Sequence, residues 1–170
     1  MKKFILVIVA MLLVGVVQSQ TYTKTNLIHR ELEYTNDSES DYRYLTECTI
    51  SEHIDIDCLD SNMYRVNRYF SLDVHDCRYK HSENAFTIVK GSEQDIISFL
   101  EEIEKFFVKE DGITMDCGSY RLTRHKQFLY NVVVYTLDNG STHTFTKSYI
   151  NTIKRKLTNY CDKNNIELSL

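Results

Sequence analysis

Residues 47–58 read ECTISEHIDIDC, and the fold turns on this stretch. Its even positions are Cys48, Ile50, Glu52, Ile54, Ile56 and Cys58; its odd positions are Glu47, Thr49, Ser51, His53, Asp55 and Asp57. The even side is apolar and the odd side polar. That period of two marks a strand with one face buried. Glu52 is the single charge on the apolar side. After LDSN the pattern resumes in MYRVNRYFSLDV, residues 63–74, where Tyr64, Val66, Phe70, Leu72 and Val74 share even parity with one charge, Arg68. Two such strands across a short polar loop predict a β-hairpin.

Directly opposed residues share a face, so even must pair with even. A three-residue loop, Leu59-Asp60-Ser61, opposes Cys58 to Asn62, Ile56 to Tyr64, Ile54 to Val66 and Glu52 to Arg68. The two charges on the apolar face then meet, and Asp55 lies opposite Arg65 on the outer face. A five-residue loop would leave Glu52 facing Phe70. The first register is favoured because an unpaired charge on a buried face is costly. A Glu52–Arg68 pair is read as a structural ion pair in preference to a functional one.

Further strands are expected at LIHRELEY (27–34), AFTIV (85–89) and FLYNVVVYTL (128–137), the last a central strand because it is apolar throughout. TNDSESD (35–41) reads as an exposed loop. ITMDCGSYRLTR changes parity at Gly118-Ser119, which predicts a bulge or turn. Asn139-Gly140 is a hairpin turn signal. Ser92 with Asp95 three residues on is a variant capping box for a helix that carries Ile96, Ile97, Phe99, Leu100, Ile103, Phe106 and Phe107 and stops at Gly112. Thr146 can cap a second helix carrying Tyr149, Ile150, Ile153, Leu157 and Tyr160, ending near DKNN, with IELSL (166–170) as a possible last strand. The expected fold is α+β: a mostly antiparallel sheet of about six to eight strands, with two amphipathic helices packed on one face.

The chain has 170 residues, 42% hydrophobic and 26% charged, with no Pro and no Trp. That suits one globular domain. Met1-Lys2-Lys3 precedes the unbroken apolar run FILVIVAMLLVGVV, and VQS follows. We read residues 1–19 as a secretory signal peptide cleaved before Gln20, and residues 20–170 as a single exported domain, periplasmic or extracellular. The apolar run of 14 residues is short of the roughly 20 that a spanning helix needs. Loss of Lys2 and Lys3 takes the net charge from −4 to −6, with 18 basic residues against 24 acidic ones. This argues against nucleic acid as a partner.

Five cysteines, Cys48, Cys58, Cys77, Cys117 and Cys161, cannot all pair within one chain. Cys48 and Cys58 are about 33 Å apart on a continuous strand, so they cannot pair with each other. The stretch HDCRYKH, His75 to His81, places His75, Cys77 and His81 close together, as a metal site or a thiol nucleophile with a histidine base would need. No second ligand cluster and no nucleophile signature accompany it, so a strand end is the favoured reading. DIDCLDSN lacks the ligand spacing, Gly and closing Glu of a calcium loop.

Site residues, metal and cofactor are therefore all read as none. The leading functional reading is an exported, non-enzymatic binding domain for an unknown protein, glycan or small molecule. A Tyr-rich sheet (Tyr64, Tyr69, Tyr79, Tyr120, Tyr130, Tyr135) is its candidate surface. The alternatives are a small periplasmic immunity or inhibitor-type protein, and a hydrolase or metal-binding protein using His75, Cys77 and His81.

Overall fold

A computed structural model describes residues 21–36, 43–60, 63–76, 85–126, 131–137 and 142–166. The element order is β1 (Thr21–Asn36), β2 (Arg43–Asp60), β3 (Met63–Asp76), β4 (Ala85–Gly91), α1 (Glu93–Phe106), β5 (Thr114–Asp116), β6 (Tyr120–Lys126), β7 (Asn131–Leu137), β8 (Thr142–Thr146) and α2 (Lys147–Lys163). The class is the expected α+β, mostly antiparallel, with two helices. The strands, however, form two four-stranded sheets, β1-β2-β3-β4 and β5-β6-β7-β8. Each is a meander that hands over directly to a helix, so the chain repeats one topology twice. No repeat is visible in the residues themselves.

By its contacts the chain divides into two compact units. The first is Met1–Lys24 with Ile54–Arg68, and the second is Thr25–His53 with Tyr69–Leu170. The core lies in the second. Cys48 and Ile50 of β2, Phe70, Leu72 and Val74 of β3, and Ile88 of β4 supply one part of it. Leu122, Val133, Tyr135 and Phe145 supply the other sheet's part. The helices add Ile96, Leu100, Ile103 and Phe106 from α1, and Tyr149, Ile150, Ile153, Leu157 and Cys161 from α2. These are the positions that helical spacing picks out. Lys154 ties the helices together, with Nζ 3.0 Å from Glu104 and 3.5 Å from Glu101.

Both helix starts follow the sequence. The Ser92 hydroxyl accepts from the Asp95 amide, and the Asp95 carboxylate accepts from the Ser92 amide at 2.7 Å. The hydroxyl and amide of Ser92 hold the Asp95 carboxyl below its ordinary range. Gly91 makes room for this box, since a Cβ there would come within 2.5 Å of Asp95 Oδ2. Thr146 accepts from the Tyr149 amide at 3.1 Å. The helix ends differ slightly: α1 stops at Phe106, and Gly112 sits beyond it in a turn at φ +77°.

β7 is flanked by β6 and β8, as its apolar run requires. The parity break at Gly118 is a turn, with φ +87° and its amide bonded to Asp116 Oδ1. The expected LIHRELEY strand is part of the longer β1, which also takes in the first residues of the expected TNDSESD loop. The Asn139-Gly140 turn and most of IELSL lie outside the described residues.

The hairpin register needs correcting. β2 runs on to Asp60, so Leu59 and Asp60 are strand and not loop. The three-residue-loop register would set His53 beside Asn67, with Ser71 about 13 Å further along. Instead His53 Nε2 is 2.8 Å from Ser71 Oγ, and its ring stacks on Tyr69 with centroids 4.8 Å apart. At His53 the strands are therefore offset from that register by at least two residues. The argument from charge did not count donors from outside the hairpin, and Glu52 has two of them, described below.

The α1 cap gives a first test. Ser92→Ala should cost about 1 kcal/mol of stability in urea unfolding. An unchanged midpoint would show that the capping box does not contribute.

Candidate functional site

The even stripe of β3 changes environment along the strand. Phe70, Leu72 and Val74 are buried, whereas Tyr64 is 64% exposed and Val66 61%. On β2, Cys48, Ile50 and Glu52 are buried, whereas Ile54, Ile56 and Cys58 are half-buried. Tyr22 and Met63 are also largely exposed, so among the described residues of the first unit four large apolar side chains stand in solvent. On the polar side of this unit Thr21 and Thr23 donate to Asp57 and Asp55 at 2.8 and 2.7 Å. Those bonds hold two carboxylates in fixed positions. Leu27 and Leu32 of β1 are exposed in the second unit.

The outer face of the first sheet, within the second unit, carries a chain of hydrogen bonds across four strands. Thr25 Oγ1 is 3.1 Å from His53 Nδ1, and His53 Nε2 is 2.8 Å from Ser71 Oγ. The Ser71 hydroxyl donates to Asp73 Oδ2 at 2.5 Å, and Thr87 donates to Asp73 Oδ1 at 2.6 Å. Lys90 Nζ sits 3.9 Å above the Tyr69 ring, whose other neighbour is His53. Ser71 beside His53 has the spacing of a nucleophile and its base. The proton count points elsewhere. The hydroxyl's one hydrogen goes to Asp73, so His53 must donate to Ser71 and cannot deprotonate it. Ser71 is also only 3% exposed. The row is a structural relay that satisfies polar groups between strands.

A second polar cluster lies in the core of the same unit. Glu52, 2% exposed, accepts from Asn26 Nδ2 and from the Tyr160 hydroxyl, each at 2.7 Å. These donors sit 26 and 108 residues away in sequence. Glu93 is buried at the start of α1, and its Oε2 has no hydrogen-bond partner. Burial, then the hydrogen bond to Glu93 and the charges of Glu93, Glu52 and Asp162, push the Cys161 thiol up to about 12. A thiol held protonated in this way is no nucleophile.

The residues singled out in the sequence divide as follows. His75 is exposed at the end of β3, opposite Ala85. Cys77 and His81 lie outside the described residues. Glu52 is buried in the second unit, and Arg68 is exposed in the first. The tyrosines do not make one surface. Tyr135 is core, stacked on Tyr120 at 4.9 Å and edge-on to Phe99. Burial and the neighbouring Cys117 raise the Tyr120 hydroxyl to about 12. Of the six, Tyr64 alone is largely exposed among those described; Tyr79 and Tyr130 lie outside the described residues. Cys48, Cys58, Cys117 and Cys161 are thiols. Among the described residues no three of His, Cys, Asp and Glu gather as metal ligands, and no helix is long and apolar enough to cross a membrane.

Sequence reasoning passed over His143. It is fully buried on β8, edge-on to Phe145 and Tyr149, and neither ring nitrogen has a hydrogen-bond partner. The alternation of THTFT, which sets His143 on the same side as Phe145, is the signal that could have found it.

Comparison of the chain with protein-family models, with curated proteins and with solved structures returns no match.

His143 yields a pH prediction. Burial pushes its pKa from 6.5 down to about 3. Between those values the unfolded chain binds a proton that the folded chain does not. Stability from this residue is therefore complete above pH 6.5 and is lost as pH falls, by about 1.4 kcal/mol per unit. His143→Leu also removes an N–H buried without an acceptor, a cost of about 1–3 kcal/mol. The variant should be the more stable protein, by a margin that widens from pH 7 to pH 4. A constant margin in urea titrations at several pH values would contradict this.

Proposed function

We propose that the chain is an exported, non-enzymatic binding domain that docks a protein partner through its first unit. The observation that carries this reading is the exposure of Tyr22, Met63, Tyr64 and Val66, each 60–64% accessible, within one short unit. Scattered apolar side chains are ordinary on a surface, but several gathered in one unit mark an interaction site. Tyr and Met are also residue types that interfaces favour. Export rests on the basic start and apolar run of residues 1–17, with periplasm or extracellular space as the compartment. Among the three ligand classes expected from the sequence, a protein is preferred because the exposed groups are large and apolar and are spread over two strands.

The immunity or inhibitor reading is favoured by one specific feature, the pair Asp55 and Asp57 held in place by Thr23 and Thr21. It requires a partner that presents basic groups. The hydrolase or metal reading rests on His75, Cys77 and His81 alone and gains no support from the Ser71–His53 contact.

The test is capture from the exported fraction of the native host, using the protein and a Tyr64→Ser/Val66→Ser variant in parallel. Both positions are exposed, so the variant should unfold within about 0.5 kcal/mol of the parent. A partner retained by the parent and lost by the variant supports the reading. Equal recovery by both contradicts it.

A further inference from the structure

The pairing of β1 with β2 sorts the first unit into two sides. Thr21 meets Asp57, Thr23 meets Asp55 and Thr25 meets His53, at 2.8, 2.7 and 3.1 Å. Each step of two along β1 is a step of two back along β2, so the strands run antiparallel in one register. That register sets Tyr22 opposite Ile56 and Lys24 opposite Ile54. Between β2 and β3, His53 meets Tyr69 and Ser71, odd with odd, so the even residues of both strands share the other side.

The odd side of the unit is polar, with Thr21, Thr23, Asp55 and Asp57, and it also takes Met63 and Arg65. The even side holds Tyr22, Ile54, Ile56, Tyr64 and Val66, and its charges are Lys24 and Arg68, both exposed. Among the described side chains of the unit, no acid stands on this even side. The chain as a whole carries 24 acidic residues against 20 basic ones, so a cationic side runs against its composition. Lys24, Ile54 and Arg68 are also where the three strands leave the unit, so both cations lie at one end of the apolar side.

Such a side selects a partner of opposite charge. A second copy presenting the same side would bring cations to cations. An anionic bilayer is a poor match, because lipid recognition uses clusters of about four to eight basic residues and this side has two. We propose that the even side of the first unit docks a protein whose surface is an apolar strip ended by carboxylates, the strip on Tyr22, Ile56, Tyr64 and Val66 and the carboxylates at Lys24 and Arg68. In naming the partner's chemistry this rests on the docking role proposed for the unit.

The experiment is capture from the exported fraction of the native host on the immobilised protein, followed by a water-soluble carbodiimide, which joins a lysine amine to a carboxylate as an amide. Mass spectrometry should find Lys24 linked to an Asp or Glu of the captured protein. Lys24→Gln should lower its retention about threefold and Lys24→Glu at least tenfold. Both leave the unfolding midpoint in place, since the position is exposed. Should Tyr64→Ser/Val66→Ser lose the partner while Lys24→Glu keeps it, docking stands and the acidic chemistry is overturned. A Lys24 link to a second copy of this chain would overturn the proposal. So would links from Asp55 or Asp57 to a partner lysine, which would put a basic partner on the odd side. Binding of the protein to phosphatidylglycerol vesicles, lost in Lys24→Glu and with no protein captured, would put a bilayer in the partner's place. Capture of nothing by the parent, with no vesicle binding, would overturn the proposal and the docking role together.

Discussion

A buried core confined to one of two units is the constraint from which the rest follows. β1, β2 and β3 each contribute residues to both units. Both helices, and the buried core residues among those described, belong to the second unit. The apolar stripe is continuous in the sequence of β3, yet its second half is core and its first half is solvated. The same strands carry their buried residues in the second unit. The proposed docking role uses what such a construction leaves over.

That anchoring is not purely apolar. Glu52 sits among core residues of β2 and is satisfied by Asn26 of β1 and Tyr160 of α2. One carboxylate thereby joins the first strand to the last helix. Leaving such a group without donors would cost about 1–3 kcal/mol or more, so the contact also specifies how these elements meet. Glu93 of α1 and Cys161 of α2 extend the polar region, and His143 adds a neutral ring among aromatic neighbours. Buried polar groups in the second unit therefore favour one arrangement over others that would bury the same apolar area.

Much of the local structure could be read directly from the residues. Ser92 with Asp95, Thr146, the spacing of Ile96, Leu100 and Ile103, and the parity break at Gly118 are each settled by contacts within a few residues. The division into two sheets was not legible, because it depends on which strands pair at long range. The register of β2 on β3 was missed for a related reason. The sequence showed two charges on one face, and pairing them was the nearest solution, but Tyr160 supplies a donor from 108 residues away. Alternation shows which side chains share a face. It does not show whether anything covers that face, so Val66 shared a stripe with core residues, and Tyr64 and Tyr135 were placed on one candidate surface although Tyr64 is exposed and Tyr135 buried.

Hydrogen–deuterium exchange of the isolated protein tests most directly the claim that the long strands are anchored in one half only. Local opening sets the exchange rate, and amides under the buried stripe should open only with the global unfolding of the core. The account predicts slow exchange at residues 46–52 and 70–74 and markedly faster exchange at residues 54–58 and 64–68, although all four stretches are strand. Uniform protection along β2 and β3 would contradict it, and with it the reading of the first unit as a solvated surface available to a partner.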